Sequence, residues 1–166
     1  MFSRRKLLKV SGAAVAGLGF ASGQVGATDS SSRGWKGVEE SPPSGVDVEA
    51  VTYGFSEDPT VNAGAWVNHE FGFVFLEETE AAARNRLEEL EFTVKLDGDT
   101  LEDPKEYFGE IRELSDEESS KYNYRVDFDA YTPPQTPGEH TFYTKYTQPN
   151  GVSFSGEIVY EVTPGR

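Results

Sequence analysis

The chemistry available to this 166-residue chain is narrow, because it contains only two histidines and no cysteine. Histidine titrates nearest to neutral pH, so His69 and His140 are the candidates for acid–base catalysis or metal binding. Zinc sites usually gather three or four nitrogen or sulfur ligands, which this composition does not supply. His69 lies between Val67 and Phe71 in an alternating apolar stretch, which favours a core histidine bonded to backbone or to a carboxylate. His140 follows a Pro-Gly turn, where a structural role is also favoured.

Carboxylates around one predicted turn are the second candidate for cation chemistry. The stretch LDGDTLEDP, residues 96–104, places several acidic side chains together, and hard oxygen ligands suit calcium. The spacing of an EF-hand is missing, and turns favour Asp and Gly for conformational reasons alone. No metal or cofactor is therefore predicted, and the weak calcium candidates are Asp97, Asp99, Glu102 and Asp103.

Covalent and phosphate chemistry have little support in the sequence. The chain has no Gly-x-Ser-x-Gly elbow and no cysteine nucleophile, and it has no glycine-rich phosphate loop. No catalytic residue is assigned, and the chain is predicted not to be an enzyme. The enzymatic alternative is a metal- or carboxylate-dependent hydrolase centred on His69 or His140.

Aromatic side chains are abundant, at 13% of the residues. Most of them fall in the inward register of predicted strands, but a few face outward or lie in a connecting segment. Outward rings can stack on a sugar or contact a partner protein. The candidate ligand contacts are Trp66, Tyr107, Phe108, Tyr131 and Tyr143.

The elements that must position these residues are mainly strands. From Val46 onward apolar and polar residues alternate with period two, which is typical of strands with one buried face. The spacing predicts an antiparallel sandwich of about seven strands, with a hairpin turn at Asp97-Gly98 and another at QPNG, residues 148–151. The stretch 79–90 instead has helical spacing and predicts one short helix, capped by Thr79, between the second and third strands.

The segment TPGEHTFYTKYT, residues 136–147, resembles the corner of immunoglobulin-like domains. In that family a glycine precedes a ring residue and then a core residue on the penultimate strand, and Gly138, His140 and Phe142 occupy those places. His140 departs from the usual tyrosine, and the chain has no cysteine pair. The resemblance covers residues 46–163 in pattern and implies an immunoglobulin-like β-sandwich without implying a function.

The N-terminal stretch SRRKLLK, residues 3–9, resembles the twin-arginine export motif, with the paired arginines at Arg4 and Arg5. It precedes a short, Gly- and Ala-diluted apolar run and small residues that end at Ala27, as in a removable signal peptide. The resemblance implies passage through the twin-arginine translocase, and cleavage is expected after Ala27. The domain organisation is therefore a signal peptide at 1–27, a Ser-, Gly- and Pro-rich disordered linker at 28–45 and a β-sandwich domain at 46–166.

The strong excess of acidic residues indicates the salt conditions in which the domain is expected to work. Without the four basic residues of the first 27, eleven basic residues face 29 acidic ones, a formal charge of −18. Excess carboxylate with few lysines resembles the proteins of extremely salt-loving archaea, and it excludes nucleic acid as a partner because no basic face is available. The sequence thus predicts a salt-adapted protein that is secreted or associated with the cell surface, with no stable membrane anchor after cleavage. Its predicted function is non-catalytic binding of a cell-surface protein or glycan. A structural component of the cell envelope is the alternative.

Overall fold

A computed structural model describes residues 33–54, 59–115 and 121–164 of the chain. The described residues form nine strands, one α-helix and one short 3₁₀ helix. The elements in chain order are β1 (Val48–Thr52), β2 (Thr60–Asn62), β3 (Trp66–Phe75), α1 (Glu80–Glu89), β4 (Glu91–Leu96), β5 (Asp99–Thr100), the 3₁₀ helix (Pro104–Tyr107), β6 (Arg112–Glu113), β7 (Tyr124–Thr132), β8 (Gly138–Thr147) and β9 (Ser153–Thr163).

The strands form two sheets of mixed orientation. The first sheet has the order β1-β3-β7-β6 and the second has the order β2-β9-β8-β4-β5. Most neighbours are antiparallel, but β1 runs parallel to β3 and β2 runs parallel to β9. The prediction of a wholly antiparallel sandwich was therefore wrong. Between β1 and β3 the chain crosses to the second sheet and forms β2, so β1 and β3 are not joined by a hairpin turn.

The inward faces of the two sheets share one apolar core. Phe71 of β3 stacks on Phe128 of β7 with ring centroids 4.6 Å apart, and its centroid lies 6.4 Å from that of Phe142 in the second sheet. The alternating apolar residues therefore face the core from both sides, as their period-two spacing predicts. The fold is mainly β and sandwich-like.

Helix α1 lies where the sequence predicts it, between the strands that contain Trp66 and Phe92. The Thr79 hydroxyl accepts a hydrogen bond from the Ala82 backbone N–H at 3.2 Å, which caps the helix N-terminus. Ala83 and Leu87 are buried on the core-facing side. The helix connects β3 of the first sheet to β4 of the second sheet.

The turn Asp97-Gly98 joins β4 to β5 as predicted. Both residues have positive φ, 53° at Asp97 and 83° at Gly98, which the mirror-image turn of a two-residue hairpin requires. Aspartate and glycine tolerate this conformation better than most residues. The turn directs the Asp97 carboxylate back toward β8, where Oδ1 accepts the Thr141 backbone N–H at 2.9 Å.

The segment that precedes β1 differs from the disordered linker that its composition predicts. From Arg33 onward it is ordered, and Trp35 is only 6% exposed. The Trp35 backbone N–H donates to Asp99 Oδ2 at 3.1 Å, and Glu39 forms a bridge with Tyr131 at the edge of the first sheet. Burial of the Trp35 indole removes a large apolar area from water and, together with these two backbone contacts, holds the segment against the sheets.

The predicted export motif at Arg4 and Arg5 and the predicted cleavage at Ala27 lie outside the described residues. Within the described ranges, no helix has the length and apolarity needed to cross a membrane.

Candidate binding face and the buried histidines

The first sheet presents a polar and aromatic outer face, formed by the side chains that point away from the core. The pairing register places Val48 beside Trp66, Ala50 beside Asn68 and Thr52 beside Glu70 across β1 and β3. It also places Asn68 beside Tyr131, Glu70 beside Asp129 and Gly72 beside Asp127 across β3 and β7. Two rows of side chains on one strand are about 7 Å apart. Tyr131 therefore lies one row from the carboxylates Glu70 and Asp129, and Trp66 lies two rows from them.

Asn68 organises the carboxylates at the centre of this face. Its Nδ2 donates to Glu70 Oε2 and to Asp129 Oδ1, both at 2.9 Å. The two carboxylate oxygens therefore lie within about 6 Å of each other, on either side of one amide. The Thr52 hydroxyl donates to the other oxygen of Glu70. Asn68 is only 6% exposed, and its Oδ1 has no hydrogen-bond partner within the described part of the chain.

A shallow pocket of about 290 Å³ continues from these carboxylates along the face. Arg125 lies at its far end, with Nε donating to Asp127 Oδ1 at 2.6 Å. The absence of a side chain at Gly72 gives the guanidinium its space, since a Cβ there would lie 2.5 Å from Arg125 Nη2. The sheet surface thus already holds one guanidinium, which belongs to the chain itself.

The carboxylates affect the neighbouring tyrosine. Partial burial raises the pKa of Tyr131, and the negative charges of Asp129 and Glu70 raise it further. The Tyr131 hydroxyl therefore lies in a negative potential. Trp66 and Tyr131 are both partly exposed, which agrees with the outward register predicted for them; their contact with a ligand stays a prediction.

His69 lies on the opposite, inward side of β3 and is 0% exposed. Its Nε2 is 3.0 Å from the Tyr160 hydroxyl of the second sheet, and its ring lies edge-on to Trp35 with centroids 5.2 Å apart. The pKa of His69 is lowered to about 3, chiefly by burial and to a smaller extent by the nearby His140, while the Ala130 carbonyl partly opposes the shift. No hydrogen bond of ordinary geometry reaches Nδ1 from the described residues. His69 is therefore a neutral core residue.

His140 is also 0% exposed, and both of its ring nitrogens are hydrogen-bonded. Nε2 donates to the Thr136 carbonyl at 2.7 Å, and Nδ1 lies 2.7 Å from Asp97 Oδ2. The ring stacks on Tyr160, with centroids 5.4 Å apart. Burial raises the pKa of Tyr160, and the charge of Asp97 raises it further. Both histidines are buried in the core, but His69 bonds to the Tyr160 hydroxyl and not to the backbone or carboxylate partner that was expected.

The remaining predicted ring contacts lie apart from the first sheet's outer face. Tyr143 is partly exposed on the outer face of the second sheet, opposite Lys95 and Glu157. Tyr107 is half-buried at the end of the 3₁₀ helix. The prediction of Phe108 as a ligand contact was wrong, because this ring is 6% exposed and packs edge-on against Phe71 at 5.7 Å.

The four weak calcium candidates do not converge. Asp97 bonds to His140 and to the Thr141 backbone, and Asp99 accepts from the Trp35 backbone. Glu102 and Asp103 are exposed. In residues 33–54, 59–115 and 121–164, no three His, Cys, Asp or Glu side chains are placed to hold a metal.

Sequence reasoning did not single out Thr52, Asn68 or Glu70. These residues occupy the polar positions of alternating strands, and that alternation was the available signal. Their convergence with Asp129 depends on the register between strands that are far apart in sequence. The parallel pairing of β1 in particular has no local turn to reveal it.

No family model matches the chain, and no curated protein is similar to it in sequence. Among solved structures, a cysteine protease inhibitor from Entamoeba histolytica is similar at a TM-score of 0.38 and 11% identity. The match covers 74% of this chain and 100% of the inhibitor. A similarity this low transfers no function.

Proposed function

We propose that this chain is an exported, salt-adapted, non-catalytic binding protein that contacts a cell-surface protein or glycan through the outer face of its first sheet. One observation carries the proposal. The outer face places the partly exposed Tyr131 one row from the amide-bridged carboxylates Glu70 and Asp129, and it places the partly exposed Trp66 one row further along β3. Exposed aromatic rings beside hydrogen-bonding groups are a common composition of recognition surfaces.

The non-catalytic part of the proposal is supported by the burial of the histidines. Both rings are 0% exposed, and neighbouring protein groups occupy three of their four ring nitrogens. A general base must come within hydrogen-bond reach of the proton that it removes. His69 and His140 do not offer that access, whereas contact with a partner needs only the surface that is already exposed.

The corner of β8 supports an immunoglobulin-like relationship as part of the same proposal. In immunoglobulin-like domains the corner tyrosine bonds back to the backbone a few residues upstream. His140 makes the corresponding bond to the Thr136 carbonyl, four residues upstream. An imidazole at this place takes over the role of the phenol and adds a second bond, to Asp97.

The test is retention of the protein on cells at high salt, compared between ring variants. Trp66→Ala should reduce retention, because Trp66 is partly exposed on the first sheet's outer face. Tyr143→Ala is the matched control, since it removes a partly exposed ring from the outer face of the other sheet. Equal retention of the Trp66 variant and the parent, with both proteins folded, would contradict the proposed face.

A further inference from the structure

The first sheet's outer face carries more negative than positive charge. Three carboxylates lie on it in two adjacent rows, and the pocket beside them contains one guanidinium, Arg125, which is paired with Asp127. Glu70 and Asp129 have no cationic partner within the described residues and share only the neutral amide of Asn68. A second cation would therefore balance charge that the chain itself leaves unbalanced.

We propose that the ligand group of this face is a positively charged side chain, a guanidinium or an ammonium, of a partner protein. The cation pairs with Asp129 Oδ2 beside Glu70, and its carbon chain lies against Tyr131, one row along β7. The inference rests on the proposed binding function and names the chemistry of the ligand.

Three observations support a cation. Burial raises the pKa of the adjacent Tyr131, and the charges of Asp129 and Glu70 raise it further, so these carboxylates make the potential beside the ring favourable to positive charge. The faces of tyrosine and tryptophan rings attract cations through their quadrupoles. One row along the strands, Asp127 pairs with the Arg125 guanidinium above Gly72, so a guanidinium–carboxylate pair already forms on this sheet surface. An anionic ligand would instead meet Glu70 and Asp129 at close range.

Asn68 is the independent structural sign that this cluster is a built site. It is nine-tenths buried on a face that is otherwise open, and its Nδ2 fixes one oxygen of each carboxylate. Its Oδ1 has no hydrogen-bond partner in the described ranges. The second oxygen of Asp129 is left for a ligand, because the hydrogen bonds of Asp129 to described side chains use Oδ1 alone.

The experiment is isothermal titration calorimetry on the full chain with three probes. The probes are a capped peptide in which arginines alternate with glycines, the same peptide with glutamates, and the neutral sugar maltohexaose. The titrations are run at roughly 0.1 M and roughly 2 M salt, because salt screens exposed charges. Only the arginine peptide should bind, and more weakly at high salt.

Two near-isosteric changes locate the cation. Glu70→Gln combined with Asp129→Asn should weaken binding of the arginine peptide about tenfold. Both charges are removed, while hydrogen bonding to Asn68 is retained. Glu157→Gln together with Glu161→Gln is the matched control, because it removes two exposed charges from β9 in the second sheet. Equal weakening by both double variants would mean attraction by total charge and would overturn the assignment.

The three probes separate this inference from the proposed function. Suppose that maltohexaose binds in a Trp66-dependent manner and the arginine peptide does not bind. This result would overturn the proposal of a cationic ligand and would leave the proposed binding function unchanged. Failure of all three probes, with the protein folded by circular dichroism, would also overturn the cation. The retention of Trp66→Ala on cells then decides the proposed function separately.

Discussion

The burial of His69 gives the protein a defined dependence of stability on pH. The ordinary pKa of histidine is about 6.5 and applies in the unfolded chain, whereas in the folded protein the pKa of His69 is about 3. Between these values the unfolded state binds a proton that the folded state excludes. The contribution of neutral His69 to the stability of the folded protein is therefore fully present above about pH 6.5 and decreases as the pH falls toward 3.

The free energy of unfolding that His69 contributes falls by about 1.4 kcal/mol for each pH unit below 6, and by about 2 kcal/mol between pH 7 and pH 5. His69→Gln removes the titrating group and should cost roughly 1–3 kcal/mol at pH 7 through the disturbed bond to Tyr160. The difference in the free energy of unfolding between the parent and His69→Gln should then be about 2 kcal/mol smaller at pH 5 than at pH 7.

The assay is denaturant unfolding of parent and variant at several pH values in molar salt. The salt reduces the contribution of surface carboxylates. All other ionisable side chains are the same in both proteins, so the difference between the two curves reports chiefly on His69. A difference that stays constant from pH 7 to pH 5 would refute the assignment of His69 as a buried neutral ring.

Three further results are expected. The melting temperature of the domain should rise between low and molar salt because its carboxylate excess is screened; equal melting temperatures would remove the argument for salt adaptation. Gly156→Ala should destabilise the fold by roughly 1–3 kcal/mol in denaturant unfolding, since its Cβ would lie 1.7 Å from the Tyr53 hydroxyl, whereas Gly64→Ala, with no atom within 4 Å, should be tolerated. Replacing Arg4 and Arg5 with lysine should trap precursor in the cytoplasm; normal processing in a pulse-chase experiment would exclude the twin-arginine route.

Local features of the fold could be predicted from the sequence because their causes are local. Thr79 caps a helix through a contact three residues away, and Asp97-Gly98 forms a turn within four residues. Strand alternation predicts a buried position for His69, and the turn before His140 predicts a structural one; both side chains are buried. Each of these inferences depends on backbone geometry within one element.

The arrangement of distant elements could not be read in the same way. Nothing near Val48 indicates that β1 pairs in parallel with β3, because no hairpin turn joins them. Trp35 lies in a segment of disordered composition, and its burial depends on contacts with His69 and Phe142 far along the chain. The connecting segment around Phe108 predicts an exposed ring, but the ring packs against Phe71 and Phe128 and is buried. The binding face itself is a product of this long-range register.

The central claim, that the protein acts through the outer face of its first sheet, is tested most directly by site-specific photo-crosslinking on cells. A photoreactive residue at Val48 lies beside Trp66, and one at Val159 lies on the outer face of the second sheet. The two positions are matched in exposure, at 40% and 41%. Crosslinking to one defined partner should occur from position 48, should be absent from position 159, and should be lost when Glu70→Gln and Asp129→Asn are introduced. Crosslinking of the same partner from position 159 alone, or equally from both positions, would contradict the claim.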